Sequence, residues 1–282
     1  MGRFSRWWGD DAPSVQVSEK DGVRALHLGS ERVQSALRVA APDCLELAYT
    51  RAMMGFLLFR PVPADVLMIG LGGGSLATFI HARLPETRTV AVEILPEVVT
   101  AARLMFGLPP DDERLRVELG DGAQYVAAHP GSADVILLDA YDDRCPTPAL
   151  AGEAFYAEAR RALRPGGVLV VNFLGDDRRL DAHLTALEAV FDERVVLAQP
   201  DPRSNVIAFA LREGPDAIAW EELKRRAAAL DARYGLGFGD LLRGFRDLNA
   251  HSARLLRLAP PRPGATNDRR QKGPGRFRGE GD

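Results

Sequence analysis

Four places in the chain carry residue types able to hold a ligand or move a proton, and their spacing relates them. The segment Gly70-Leu71-Gly72-Gly73-Gly74-Ser75 follows an apolar run and precedes a helical pattern. Glycines there let the backbone turn tightly and approach a ligand, while the next helix offers free N–H groups at its start. A carboxylate, Glu93, ends the next apolar run about 20 residues further on, the place from which an acid can accept from both hydroxyls of a ribose. Asp121, within Gly120-Asp121-Gly122, follows a third run and could accept from an adenine amino group. Asp139 ends a fourth, beside the loop and facing the reactive end of such a ligand. Each acid alone could be a helix cap or a solvated loop residue. Three at successive strand ends, with the glycine loop, point to a nucleoside. A nicotinamide dinucleotide is the weaker match, because Ser75 stands where a third loop glycine would be.

The elements that must position these residues read as strands alternating with helices from Asp65 onward, which predicts a mostly parallel sheet. Buried strands are expected at 66–69, 89–92, 115–119, 134–138 and 168–173, with helices at 75–83, 96–106, 123–128 and 153–163. Arg164-Pro165-Gly166-Gly167 reads as the turn out of the last helix. Strands at 194–197 and 206–211, with a helix at 180–191, would complete seven strands. Residues 1–41 form a separate small β unit, with Asp21-Gly22 as its hairpin turn and a third strand at 32–39. A helix starting at Pro42-Asp43 opens the main domain, 42–258, whose last part, 216–258, is expected to be helical. Residues 259–282 are rich in Pro, Gly and Arg and are expected to be a disordered basic tail. The fold class is therefore α/β, a Rossmann-like sheet of the class I methyltransferase type with a small N-terminal β unit.

Composition removes several functions. Of 282 residues 46% are hydrophobic and 27% charged, which suits a soluble globular chain, and the net charge of −3 argues against broad nucleic-acid binding. The two cysteines, Cys44 and Cys145, form no metal-ligand spacing, and no metal is expected. Apolar runs such as 53–59 and 168–171 are too short to span a bilayer, and the first residues lack a secretory core; a cytoplasmic location is expected. The five histidines form no i, i+3 or i, i+4 pair.

From about 14 to 212 the sequence resembles the spermidine synthase (polyamine aminopropyltransferase) family. The likeness rests on Val33-Gln34, Ala48-Tyr49, Val66-Leu67-Met68-Ile69-Gly70, Val92-Glu93-Ile94, Gly120-Asp121-Gly122-Ala123, Leu138-Asp139-Ala140, Phe155-Tyr156 and Leu163-Arg164-Pro165-Gly166-Gly167. It implies transfer of an aminopropyl group from decarboxylated S-adenosylmethionine to a polyamine or other small amine, without a metal. Cofactor contacts would fall to Gln34, Gly70, Gly72, Gly74, Glu93, Asp121 and Gly122. Asp139 would help deprotonate the attacking amine, and Asp142 and Tyr49 would position it. No membrane or specific nucleic-acid partner is implied, and a homodimer is an expectation from the resemblance.

The family pattern is not kept throughout. An aspartate usual in the loop is Gly73 here, a polar residue and a glutamate after the tyrosine are Thr50 and Arg51, and the tyrosine of a Tyr-Pro-Ser segment is absent from Pro202-Arg203-Ser204. An S-adenosylmethionine-dependent methyltransferase, suggested by Gly73, and a non-catalytic nucleoside-binding relative are the alternatives.

Overall fold

A computed structural model describes residues 14–142, 145–146, 148–200 and 205–259. Its centre is a seven-stranded sheet made of β4 (Asp65–Ile69), β5 (Arg88–Glu93), β6 (Leu115–Leu119), β7 (Ala133–Leu138), β10 (Leu163–Phe173), β11 (Val195–Ala198) and β12 (Val206–Leu211). The spatial order is β11-β12-β10-β7-β4-β5-β6, parallel except for β12, which runs antiparallel to both neighbours. Strands β4 and β7 are apolar almost throughout because both their faces are covered. One face packs on α1 (Ala48–Met53), α2 (Ser75–Arg83), α3 (Pro96–Met105), α7 (Trp220–Tyr234) and α8 (Phe238–Leu248). The other packs on α4 (Gly122–Ala128), α5 (Glu153–Ala162) and α6 (Leu180–Val190).

From β4 the chain builds outward through β5 and β6, then crosses back to β7 on the opposite flank. That reversal opens a crevice at the carboxyl ends of β4 and β7, where open α/β sheets take their ligands. At the amino ends of these strands Asp134 closes the structure. Its buried carboxylate accepts from Arg60 at 2.7 Å, from the Ala64 and Asp65 amides at 2.7 and 3.1 Å, and from Arg164 at 3.4 Å.

The N-terminal unit is a separate antiparallel sheet of β1 (Val15–Lys20), β2 (Val23–Leu28) and β3 (Ser35–Arg38). Its first turn holds Asp21 and Gly22 at φ 52° and 73°, the left-handed pair that a two-residue hairpin requires.

Three local expectations change. The first helix begins at Ala48 rather than Pro42, because the Arg51 guanidinium takes the Leu45 and Glu46 carbonyls at 2.9 and 2.6 Å in place of helical amides. It tightens to a 3-10 turn at Met54–Leu58, where Gly55 lies so close to Leu241 and Phe209 that a Cβ would stand 2.6–2.7 Å from them. Residues 216–258 are not all helical: β13 (Ala217–Ala219) pairs with β14 (Leu255–Arg257), placing Ile218 opposite Leu256. Arg164–Gly167 is an irregularity inside β10, not a turn before it; pairing with β7 shifts between Leu163 and Val168, and Gly166 sits at φ 71°. A short antiparallel pair, β8 (Tyr141–Asp142) and β9 (Cys145–Pro146), follows β7. From residue 260 the expected tail lies outside the described residues, as do Asp143, Pro202, Arg203 and Ser204.

Candidate active site

The glycine loop leaves β4 through Gly70, whose N–H still donates to Val92 O at 2.9 Å. Gly70 has φ 90°, and a Cβ built there would lie 2.3 Å from the Asp139 carbonyl oxygen, so the position admits only glycine. Gly74, at φ 75°, starts α2. Gly73 is different. Its backbone is not in the left-handed region, yet a Cβ there would stand 2.8 Å from both a Phe106 ring carbon and Ser35 Oγ. The direction in which a longer side chain would project is already filled.

Glu93 stitches this loop to the end of β5. Its Oε2 accepts from the Leu71 amide at 2.9 Å and its Oε1 from Ile94 and Leu95 at 2.9 and 3.0 Å, with the Gly72 amide also directed at the carboxylate. Burial pushes Glu93 above the usual carboxylate range, and the backbone donors pull against that. Asp121 caps α4: Oδ1 accepts from Ala123 and Gln124 amides at 2.7 and 3.3 Å, while Oδ2 meets only Gln124 Nε2 at 3.4 Å. Gly122, the next residue, lies against the sheet, where a Cβ would come within 2.3 Å of Ile69 Cγ2.

Asp139 follows β7 directly, and its amide donates to Ile69 O at 2.9 Å. Among the described residues, the side chains bonded to it are neutral. Asn172, at the end of β10, donates from Nδ2 to Asp139 Oδ1 at 2.7 Å, and the Tyr49 hydroxyl lies beside the same carboxylate. Burial raises Asp139, opposed by these two donors; burial and then the nearby carboxylate raise Tyr49 well above an ordinary phenol. Tyr49 Oη donates to the Gln34 carbonyl at 2.9 Å, so its one proton is shared between that oxygen and the Asp139 carboxylate, and Gln34 N donates to Leu26 O, so α1 and the N-terminal sheet meet at this point.

The structure thus brings Gly70, Glu93 and Asp139 together through direct hydrogen bonds or near contact, and joins Tyr49 and Gln34 to them. Asp142 is described in its backbone only. Arg51 is turned onto the Leu45 and Glu46 carbonyls and lines a cavity of about 300 Å³ with Gln199 and Pro200. Sequence reasoning missed Asn172; the signal was an amide at the end of an otherwise apolar strand. Among the described residues, no group of three or more His, Cys, Asp and Glu side chains could hold a metal ion, and no helix is long and apolar enough to cross a membrane.

Residues 46–176 match the family model described as the spermine/spermidine synthase domain. A polyamine aminopropyltransferase from Chromobacterium violaceum is 41% identical over 241 residues, covering 86% of this chain and 92% of that protein. The chain belongs to the spermine/spermidine synthase family. As a member of that family it is a transferase of the aminopropyltransferase type. A solved structure of a probable spermidine synthase from Corynebacterium glutamicum shares the fold, with a TM-score of 0.66 at 21% identity over 77% of this chain and 83% of that one. The family resemblance extends to a human eEF1A lysine and N-terminal methyltransferase, 32% identical over 188 residues that cover 62% of this chain and 26% of that protein.

Proposed function

We propose that the chain transfers an aminopropyl group from decarboxylated S-adenosylmethionine to a small-molecule amine, with Asp139 as proton acceptor. The observation that carries this reading is the Asp139 carboxylate, buried beside the glycine loop and, among the described residues, paired with Asn172 and Tyr49 and with no cation. An alkylammonium, with pKa near 10, must lose a proton before it is a nucleophile. An uncompensated carboxylate attracts that cation and accepts the proton. The freed nitrogen lone pair forms the new N–C bond, and the C–S electrons pass to sulfur, releasing neutral methylthioadenosine. Tyr49 holds Asp139, and Tyr49 and Asp142 are assigned to help position the amine.

The nucleoside is held by Gly70, Gly72 and Gly74 of the loop, Glu93, Asp121, Gly122 and Gln34. A ribose hydroxyl reaches Glu93 by taking a lone pair now held by a loop amide, so donor binding releases Leu71 or Gly72. Asp121 Oδ2 is the more open oxygen for an adenine amino group. Incubation with decarboxylated S-adenosylmethionine and putrescine or spermidine is expected to release methylthioadenosine. No product across a panel of amines would refute the proposal.

One observation favours methyl transfer from intact S-adenosylmethionine: neither the glycine loop nor the first turn of α2 carries an acid to meet a lone donor ammonium. Calorimetric comparison of the two donors separates the readings, and a clear preference for the decarboxylated donor excludes this one.

A further inference from the structure

Asp139 is held by a partner that belongs neither to the nucleoside loop nor to α1. Asn172 is 3% exposed at the carboxyl end of β10, the strand next to β7, and donates to Asp139 Oδ1 at 2.7 Å. A side-chain amide can present its oxygen or its nitrogen, and the ionised carboxylate, which only accepts, selects the nitrogen. Asn205, just before β12, donates from Nδ2 to Asn172 Oδ1 at 2.8 Å. With that oxygen engaged as an acceptor, the Asn172 amide is held at both ends. The reverse orientation would set oxygen against oxygen at Asp139 and nitrogen against nitrogen at Asn205.

We infer that Asn172 is a positioning residue of the transfer reaction and that Asn205 holds its amide in place from the oxygen end. The two amides form a relay across β12, β10 and β7 that ties Asp139 Oδ1 and, by fixing the plane of the carboxylate, sets where its other oxygen lies relative to the incoming amine. The inference rests on Asp139 as the proton acceptor. The relay adds no charge: Asn172 and Asn205 do not titrate, and Tyr49 is the titratable group beside Asp139. Its effect is a charge-assisted hydrogen bond, which favours the ionised carboxylate against the burial that opposes it. It also fixes the direction of the other oxygen, which distance alone does not do.

The test follows the Asp139 carboxyl carbon by NMR in protein labelled with 13C-aspartate, assigned by loss of its signal in Asp139→Asn, together with steady-state aminopropyl transfer. In Asn172→Ala the Asp139 titration is expected to move up by about one to two pH units, the size of one hydrogen bond to a charged group. The value of kcat should fall roughly 10- to 100-fold, KM for the amine should move less, and the acid limb of the pH profile should shift with the NMR titration. Asn205→Ala is expected to act in the same direction and more weakly. Its effect should vanish in the Asn172→Ala background, because without Asn172 there is nothing for it to hold. If Asn172→Ala does not fold, Asn205→Ala alone carries the test. An unmoved Asp139 titration in a folded variant overturns the relay, whatever happens to the melting temperature. If the titration moves but no amine is a substrate, the relay stands and the aminopropyl reading falls.

Discussion

Gly73→Asp would put an acidic side chain into the nucleoside loop, and the structure predicts that the loop will not accept it. A Cβ at this position stands 2.8 Å from both a Phe106 ring carbon and Ser35 Oγ. Ordinary carbon–carbon contact begins at about 3.5 Å, so roughly 0.7 Å must be found before the carboxylate is added. Phe106 is 1% exposed and Ser35 3%, which leaves neither a free direction in which to swing. Overpacking of this kind costs about 1–3 kcal/mol. For a domain of this size each kcal/mol lowers the melting temperature by about 2–4 °C, so a fall of roughly 2–12 °C is expected. Thermal unfolding followed by circular dichroism measures it. Affinity for a donor should fall as well, because the displaced loop carries the Leu71 amide that Glu93 holds. Phe106→Leu in the Gly73→Asp background frees space beside the new Cβ and is expected to recover part of the loss. A Gly73→Asp variant that melts within 1 °C of the parent, or a Phe106→Leu change that recovers nothing, would refute the claim that packing closes this position.

Two further perturbations separate chemistry from support. Asp139→Asn keeps the shape and an acceptor for Asn172 but removes the proton acceptor; kcat should fall about 10²- to 10⁴-fold while methylthioadenosine still binds. Because burial raises Asp139, its contribution to stability is full below the unfolded aspartate value and is lost as pH rises through the folded one. Asp139→Asn should therefore gain in melting temperature relative to the parent as pH rises above the unfolded aspartate value, and a relative loss on that rise would contradict the assignment. Asp134→Ala strips the acceptor from Arg60, Arg164 and the Ala64 and Asp65 amides at the far end of the sheet. The arginines left behind are each 36% exposed, so the cost is mainly that of the stranded Ala64 and Asp65 amides, about 1–3 kcal/mol each, readable by urea denaturation, and the KM of the folded variant should stay within about twofold of the parent. A donor KM raised tenfold would show that the two ends of the sheet are not independent.

The parallel sheet, the glycine loop and the acids at strand ends were legible because each is a local pattern: an apolar run, a turn, a carboxylate at a fixed offset. The mostly parallel run of the sheet followed from the alternation with helices, whereas its strand order did not. What escaped reading depends on partners distant in sequence. Neither Ala217–Ala219 nor Leu255–Arg257 looks like a strand until they pair across two intervening helices. Nothing around Gly73 announces that Phe106 and Ser35 will occupy its side-chain space. Asn172 and Asn205 are unremarkable alone; only the antiparallel pairing of β10 with β12 brings them together. Asp121 was legible as a carboxylate, but its hold on the Ala123 and Gln124 amides, the bland alternative for such an acid, is also present.

The close approach of Gly70 to Asp139 has a consequence for how such a site can diverge. The Asp139 amide donates to Ile69 O, and the Asp139 carbonyl fills the space where a Gly70 side chain would be. The turn proposed to cradle the nucleoside and the residue assigned to the proton are therefore one mechanical piece, with no slack between them. A change that re-seats the donor displaces the acid with it. New acceptors are thus most readily accommodated by changing residues that do not hold Asp139, while Tyr49, Asn172 and the joint between β4 and β7 stay as they are. In an engineered chimera the safe cut lies outside the 69–70 and 138–139 junctions, never between them.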